Sequence, residues 1–237
     1  MNNIIIGKNN RISESAHIHN NVIIGDNNFI GDNVIILPNT VIGNDNHIFN
    51  GNVIGEFPIN SSDDYKEYDL FKCKGVLIGN NNLFHVKNII FSGIENATFV
   101  GNNNKILGEC NISHDVQIYN TVTIYPRVII GGFCELLEYS NIGMCAVIHQ
   151  HKIIGQYSMV GGNNMVTKHV FPYYININNK CHRLNEMKIS EDVKKRNNIL
   201  REIYENFIKK NYSLSHYDLS SEMMNDLTLF ISKINKT

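Results

Sequence analysis

Large apolar residues recur at every sixth position of this chain. Isoleucine stands at Ile6, Ile12, Ile18, Ile24, Ile30, Ile36, Ile42, Ile48 and Ile54. The beat resumes at Ile78, Phe84 and Ile90. After a slip of phase it continues through Val100, Ile106, Ile112, Ile118, Ile124, Ile130, Leu136, Ile142, Ile148, Ile154, Val160 and Val166. An α-helix repeats about every 3.6 residues and an open strand about every two, so neither keeps one residue type at each sixth place. Period six is one short strand plus one tight turn. Three such units close a triangular coil, and stacked coils pair each strand with the one above. Glycine often follows the inward residue (Gly7, Gly25, Gly43, Gly79, Gly101, Gly131, Gly143, Gly155, Gly161), and Asn crowds the turns, as in Asn80-Asn81-Asn82 and Asn102-Asn103-Asn104. Both residues tolerate the positive φ that tight corners require. The expected fold is a parallel β-helix. At an inter-strand spacing of about 4.8 Å, about eight coils make a prism roughly 40 Å long.

The beat fails twice. Between Ile54 and Ile78 the inward places would fall on Asn60, Lys66 and Lys72, which cannot line a core unpaired. Residues 56–74 therefore form an excursion, and its aromatics (Phe57, Tyr65, Tyr68, Phe71) point to a docked loop. The second failure is the slip across residues 92–97. After Val166 the pattern ends. Phe171-Pro172-Tyr173-Tyr174 reads as an exit turn, and Ser190 as the cap of a helix opening with Glu191 and Asp192. Val193, Ile199, Leu200, Ile203, Tyr204, Phe207 and Ile208 make its apolar stripe. A second helix begins near Ser221, and the pair is expected to cap the open end. The division is a β-helix over residues 1–170 and an exit segment with helices over 171–237.

Composition narrows the function. A net charge of -1 and a pI near 6.8 give no basic surplus for nucleic acid. No apolar run is long enough to span a membrane, and the first residues lack the basic-then-apolar pattern of a signal peptide. Cys73, Cys110, Cys134, Cys145 and Cys181 follow no metal or disulfide spacing and read as reduced thiols of a cytoplasmic protein.

A few polar residues are not turn chemistry. His114 and Asp115 sit in Ile112-Ser113-His114-Asp115-Val116-Gln117; His149, Gln150 and His151 follow Ile148. With about 18 residues per coil, Gln150 lies two coils from His114 in one column, Gly132 lies between them, and His149 stands in the next column. A histidine, a glycine backbone and a polar pair then share one groove. Surface histidines with no task are the plain alternative. Zinc is another, through His85, His114, His149 and His151, but His85 is out of register with His114.

In these motifs the chain resembles the hexapeptide-repeat acyltransferases, and most closely those that O-acylate UDP-N-acetylglucosamine in lipid A synthesis. The similarity runs in order through Ile54-Gly55-Glu56, Asp64-Tyr65-Lys66, Ile112-Ser113-His114-Asp115, Ile142-Gly143-Met144, Ile148-His149-Gln150 and Met159-Val160-Gly161-Gly162. The resemblance implies a left-handed β-helix and a homotrimer with sites between neighbouring prisms. It implies acyl transfer from a thioester of acyl carrier protein or coenzyme A to a nucleotide-activated sugar, with no resident cofactor or metal. It makes His114 the general base, Asp115 its support and the Gly132 N–H the oxyanion donor. Asp64 and Lys66 would touch the nucleotide sugar, with His149 and Gln150 beside it, and Gly162 would set the acyl length. The chain departs from the family where Phe133 and Asn111 replace histidines and Phe91-Ser92-Gly93 replaces His-Arg-Gly. The family's paired arginines have no clear counterpart, although Lys194-Lys195-Arg196 lies nearby. These departures imply changed acceptor contacts. N-acylation of a nucleotide-linked amino sugar for surface polysaccharide is the alternative reaction. A zinc enzyme like the γ-type carbonic anhydrases and a non-catalytic β-helix are the alternative classes.

Overall fold

The computed structural model describes residues 3–58 and 72–235. Three sheets of short strands form the walls of a prism. Wall A runs Ile4–Ile6, Val22–Ile24, Thr40–Ile42, Val76–Ile78, Thr98–Val100, Gln117–Ile118, Glu135–Leu136 and Ile153–Ile154. Wall B begins at Arg11–Ile12 and wall C at His17–Ile18, and each gains one strand per coil. Pairing within the prism is parallel and joins each inward residue to the third one along the beat, as Ile24 opposite Ile42, Ile30 opposite Ile48 and Ile36 opposite Ile54. The six-residue beat thus becomes three aliphatic columns, and from Ile24 to Val166 they are almost fully buried. Removing each such side chain from water contributes about 1.5–3 kcal/mol. Among the described residues no strand lies outside the first coil, and Ile6 remains 45% exposed.

Both failures of the beat are insertions at one edge, where the chain turns from wall C to wall A. Thr40 pairs with Val76, and the excursion fills the extra length between them. Val76 pairs with Thr98, so this coil too is longer than the regular one that follows it, in which Phe99 pairs with Gln117.

The edge between walls A and B is more regular. Asn10, Asn28, Asn46, Asn82 and Asn104 stack inside it. The N–H and Nδ2 of Asn46 donate to Oδ1 of Asn28 at 2.9 and 3.0 Å, and those of Asn82 to Oδ1 of Asn46 at 3.0 Å each. The spare amide hydrogen goes to a backbone carbonyl, as from Asn46 to Gly79. The amides of Asn46 and Asn82 are therefore satisfied by the coils beside them.

At the C-terminal end the structure departs from the simple exit turn. Tyr174–Ile177 pairs parallel with Met159–Val160, and Lys180–Leu184 returns antiparallel to it. The two-residue connection, Asn178 and Asn179, has φ of 53° and 60°, as hairpin turns require. Helix α1 (Glu191–Lys195) is capped by Ser190, whose Oγ accepts from the Val193 N–H. The stripe read as one helix then breaks at Arg196 and continues as α2 (Asn197–Ile208). Helix α3 (Ser221–Ile234) is capped by Ser220. The helices do not simply cover the end. Leu200, Ile203, Leu227 and Phe230 form a second core with Leu137 and Ile153, which face outward from the last coils. Lys233 reaches back to the Tyr119 hydroxyl and the Glu135 carboxylate.

Candidate active site

The edge between walls C and A carries the residues that do not serve the turns. His114 and Asp115 leave the strand Asn111–Ile112 and occupy the corner before Gln117–Ile118. Strand neighbours would point apart, but Asp115 has φ of 60°, and this left-handed corner swings its carboxylate back beneath the histidine. The Asp115 side chain is 1% exposed and its Oδ2 lies 3.0 Å from Nδ1 of His114. A carboxylate can only accept, so Nδ1 donates and carries the ring proton. Nε2 is left as the acceptor and has no hydrogen-bond partner among the described residues.

Gly132 lies directly under the ring. A Cβ there would stand 2.7 Å from Cε1 and 2.9 Å from Nε2 of His114, so any side chain would displace the imidazole. The flanking N–H groups are engaged, Gly131 with the Ile148 carbonyl and Phe133 with that of His114, whereas the Gly132 N–H donates to nothing among the described residues. On the other side, the Phe133 ring meets His114 edge-on at 5.2 Å and lies flat on His151 at 4.8 Å. Gln150 shares the column of His114 and Gly132, as the sequence register requires, and His149 stands one column over; both are exposed.

Two expectations fall elsewhere. Gly162 follows the wall B strand Met159–Val160, so it lies at the edge between walls B and C, and one chain does not bring it to His114. Asp64 and Lys66 lie outside the described residues. The stems of their excursion rejoin the prism at the same edge as His114, where Lys74 donates to the Gly93 carbonyl at 2.8 Å. Burial pushes the thiols of Cys110 and Cys134 up to about 11, so both stay protonated and poorly nucleophilic at neutral pH. Among the described residues, no three His, Cys, Asp or Glu side chains converge on a metal position. No helix among them is long and apolar enough to cross a membrane.

Sequence reasoning missed two parts. One is the Phe133–His151 stack, whose only signal was that Phe133 and His151 stand exactly one coil apart in the repeat. The other is the set of backbone groups that hold Asp115, whose only trace was the slip of phase before Val100.

The family model described as "Bacterial transferase hexapeptide (six repeats)" matches residues 3–38. The acyl-[acyl-carrier-protein]–UDP-N-acetylglucosamine O-acyltransferase of Nautilia profundicola is 32% identical over 109 residues, covering 45% of this chain and 42% of that protein. The protein of the same description from Helicobacter pylori is 27% identical over 128 residues, covering 50% and 47%. The match thus spans less than half the length of these curated relatives. Among solved structures, a UDP-N-acetylglucosamine acyltransferase from Bacteroides fragilis superposes with a TM-score of 0.74 at 27% identity, covering 94% of this chain and 91% of that one. The one from Campylobacter jejuni, at 23% identity, shares the fold with a TM-score of 0.77 over 90% and 89%.

Repeat, walls and corners together define a hexapeptide-repeat parallel β-helix protein with a small C-terminal helical region. Within that class, the relatives named above are described as UDP-N-acetylglucosamine acyltransferases, the family that the sequence resembles over residues 54–174.

Proposed function

We propose that this chain is an acyltransferase that moves an acyl group from a thioester, on acyl carrier protein or coenzyme A, to a nucleotide-activated sugar of the UDP-N-acetylglucosamine kind. The observation that carries the reading is the His114–Asp115 pair, with Nε2 unengaged above a glycine whose N–H is also unengaged. Nε2 takes the proton of the acceptor hydroxyl as its oxygen attacks the thioester carbonyl. The new C–O bond makes a tetrahedral oxyanion, which the Gly132 N–H stabilises. As this collapses, the C–S bond breaks and the imidazolium returns its proton to the leaving thiolate. Asp115 holds the ring and steadies its charge between the two transfers, a division of labour seen in other His–Asp catalysts.

The active unit in this reading is a homotrimer in the cytoplasm. Ile89, Ile129 and Met165 project from wall C and are exposed in the single chain. A neighbouring prism on that wall would cover them and could bring its own Gly162 edge to the groove of His114, where glycine leaves room for a long acyl chain. Asp64, Lys66, His149 and Gln150 are the proposed contacts to the nucleotide sugar.

Phe133 favours a second acceptor. It places an aromatic ring against His114 where the family resemblance leads one to expect a histidine, a contact that suits a different sugar on that side. N-acylation of a nucleotide-linked amino sugar fits the same base, with an amine in place of the hydroxyl. Mass spectrometry of products from a panel of nucleotide sugars, offered with acyl carrier protein and coenzyme A thioesters, separates the two. His114→Ala should lower turnover by about 10²–10⁴-fold on whichever acceptor is used. Unchanged turnover would remove the base and the mechanism with it.

A further inference from the structure

Asp115 is held by far more than its histidine. Its carboxylate accepts three backbone N–H groups, from Ile94 at 2.8 Å, Glu95 at 3.0 Å and Asn96 at 2.6 Å. Its own N–H donates to Oγ1 of Thr98 at 2.9 Å, which anchors the left-handed backbone of the corner. All three amides come from the insertion that lengthens this coil between Val76 and Thr98. That turn is tightly determined. A Cβ on Gly93 would stand 1.6 Å from the Asn96 carbonyl oxygen, so Gly93 admits no side chain without opening it. Gly93 is tied in turn to Gly75, with its N–H donating to the Gly75 carbonyl at 3.0 Å and the Gly75 N–H donating to Oγ of buried Ser92 at 2.9 Å.

We propose that residues 93–96, together with the Thr98 hydroxyl, are a positioning device that fixes Asp115 and through it holds His114 as the single tautomer with its proton on Nδ1. The geometry supports this over a merely structural turn. From Thr98 onward the coils close the same edge without any insertion, Phe99 pairing with Gln117 and Gln117 with Glu135. Here the chain is longer, and the polar hydrogens of the added turn converge on one carboxylate. Three fixed amides leave one direction for the remaining acceptor position of Oδ2, and the imidazole lies along it. Without them the carboxylate could rotate, Nδ1 would lose its acceptor, and the proton could move to Nε2, where it blocks the base. The inference rests on the reading of His114 as base, and it concerns what keeps that base competent.

The test uses the full chain without substrate. Imidazole ¹⁵N spectra of histidine-labelled protein, with His114 assigned by subtraction of a His114→Asn spectrum, should show Nδ1 protonated and Nε2 bare in the wild type. Thr98→Val keeps shape and removes the acceptor; Gly93→Ala opens the turn. Each should give mixed tautomer signals at His114, and kcat lower by about 10-fold with KM little changed. Thr98→Ser should restore both. The proposal is overturned if folded Thr98→Val keeps the wild-type tautomer and pH–rate profile, or if activity falls only as far as the folded fraction falls. Should Gly93→Ala not fold, Thr98→Val decides alone. The spectra need no turnover, so a protein that acylates no sugar yet loses its tautomer on Thr98→Val would defeat the proposed function and leave the device standing.

Discussion

The edge between walls A and B and the edge between walls C and A are built from the same turn, yet they use it for opposite ends. At most of their corners one residue takes a left-handed φ near 60°. Along the A–B edge such places include Asn27, Asp45 and Asn81, which accept that conformation at little cost. Their neighbours Asn28, Asn46 and Asn82 close a ladder of amides upon themselves. Along the lower C–A edge the left-handed residues are Asp115, Phe133 and His151, none of which is placed there for turn stability alone. There the polar groups point at one another across coils or stay unengaged. Strain alone does not separate the edges, since Thr121, Tyr139 and Tyr157 also sit left-handed on the A–B edge; the C–A edge differs in holding an imidazole, a carboxylate and an open N–H in register.

That contrast can be broken in graded steps. The largest effect belongs to Gly132→Val. Its side chain would take the place of the His114 ring, so acyl transfer should fall by at least about 100-fold, while the melting temperature moves little because the residue lines the groove and not the prism interior. A parallel loss of fold in circular dichroism would mean that this edge is structural after all. Asn46→Ala should do the reverse. It removes an amide that bonds to the coils on both sides and leaves buried donors unpaired, costing about 2–3 kcal/mol in chemical denaturation with kcat unchanged. Thr121→Asn is gentler. Thr121 is β-branched at φ 61° on the A–B edge, so asparagine should raise stability by about 1 kcal/mol without touching activity. Equal stability of the two proteins would show that the corner carries no such strain.

The smallest effect is one of pH. His169 follows the last wall C strand and accepts the Ile153 N–H on Nδ1 at 3.2 Å, so it must be neutral there. Burial, aided by Lys152, holds its pKa below the ordinary 6.5. The unfolded chain therefore binds a proton at a pH where the folded one does not, and stability should decline as pH falls from 6.5 towards the lowered value, then level off for this group. His169→Gln should flatten that part of the stability profile. A profile equally steep without His169 would assign the decline to other groups.

Much of this was legible in the order of residues, for physical reasons that differ from element to element. Ile24, Ile42 and Ile78 report their wall because a six-residue strand-and-turn unit leaves one inward place. The column of His114, Gly132 and Gln150 follows from the same count. The hairpin at Asn178 and Asn179 was missed, since Tyr174–Ile177 alternates over too few residues to be told from an exit turn. The break at Arg196 was also hidden, because Val193 and Leu200 suit one continuous stripe as well as two short helices.

The coil and its register were written in the order of residues, because aliphatic side chains recurring at one interval have a single interior to share. The direction of each functional group was left to the folded chain. The Asp115 carboxylate meets His114 because its corner turns left-handed and because the amides of residues 94–96 receive it. Backbone N–H groups are present at every residue except proline and carry no letter of their own, so the path of the chain alone says where they converge.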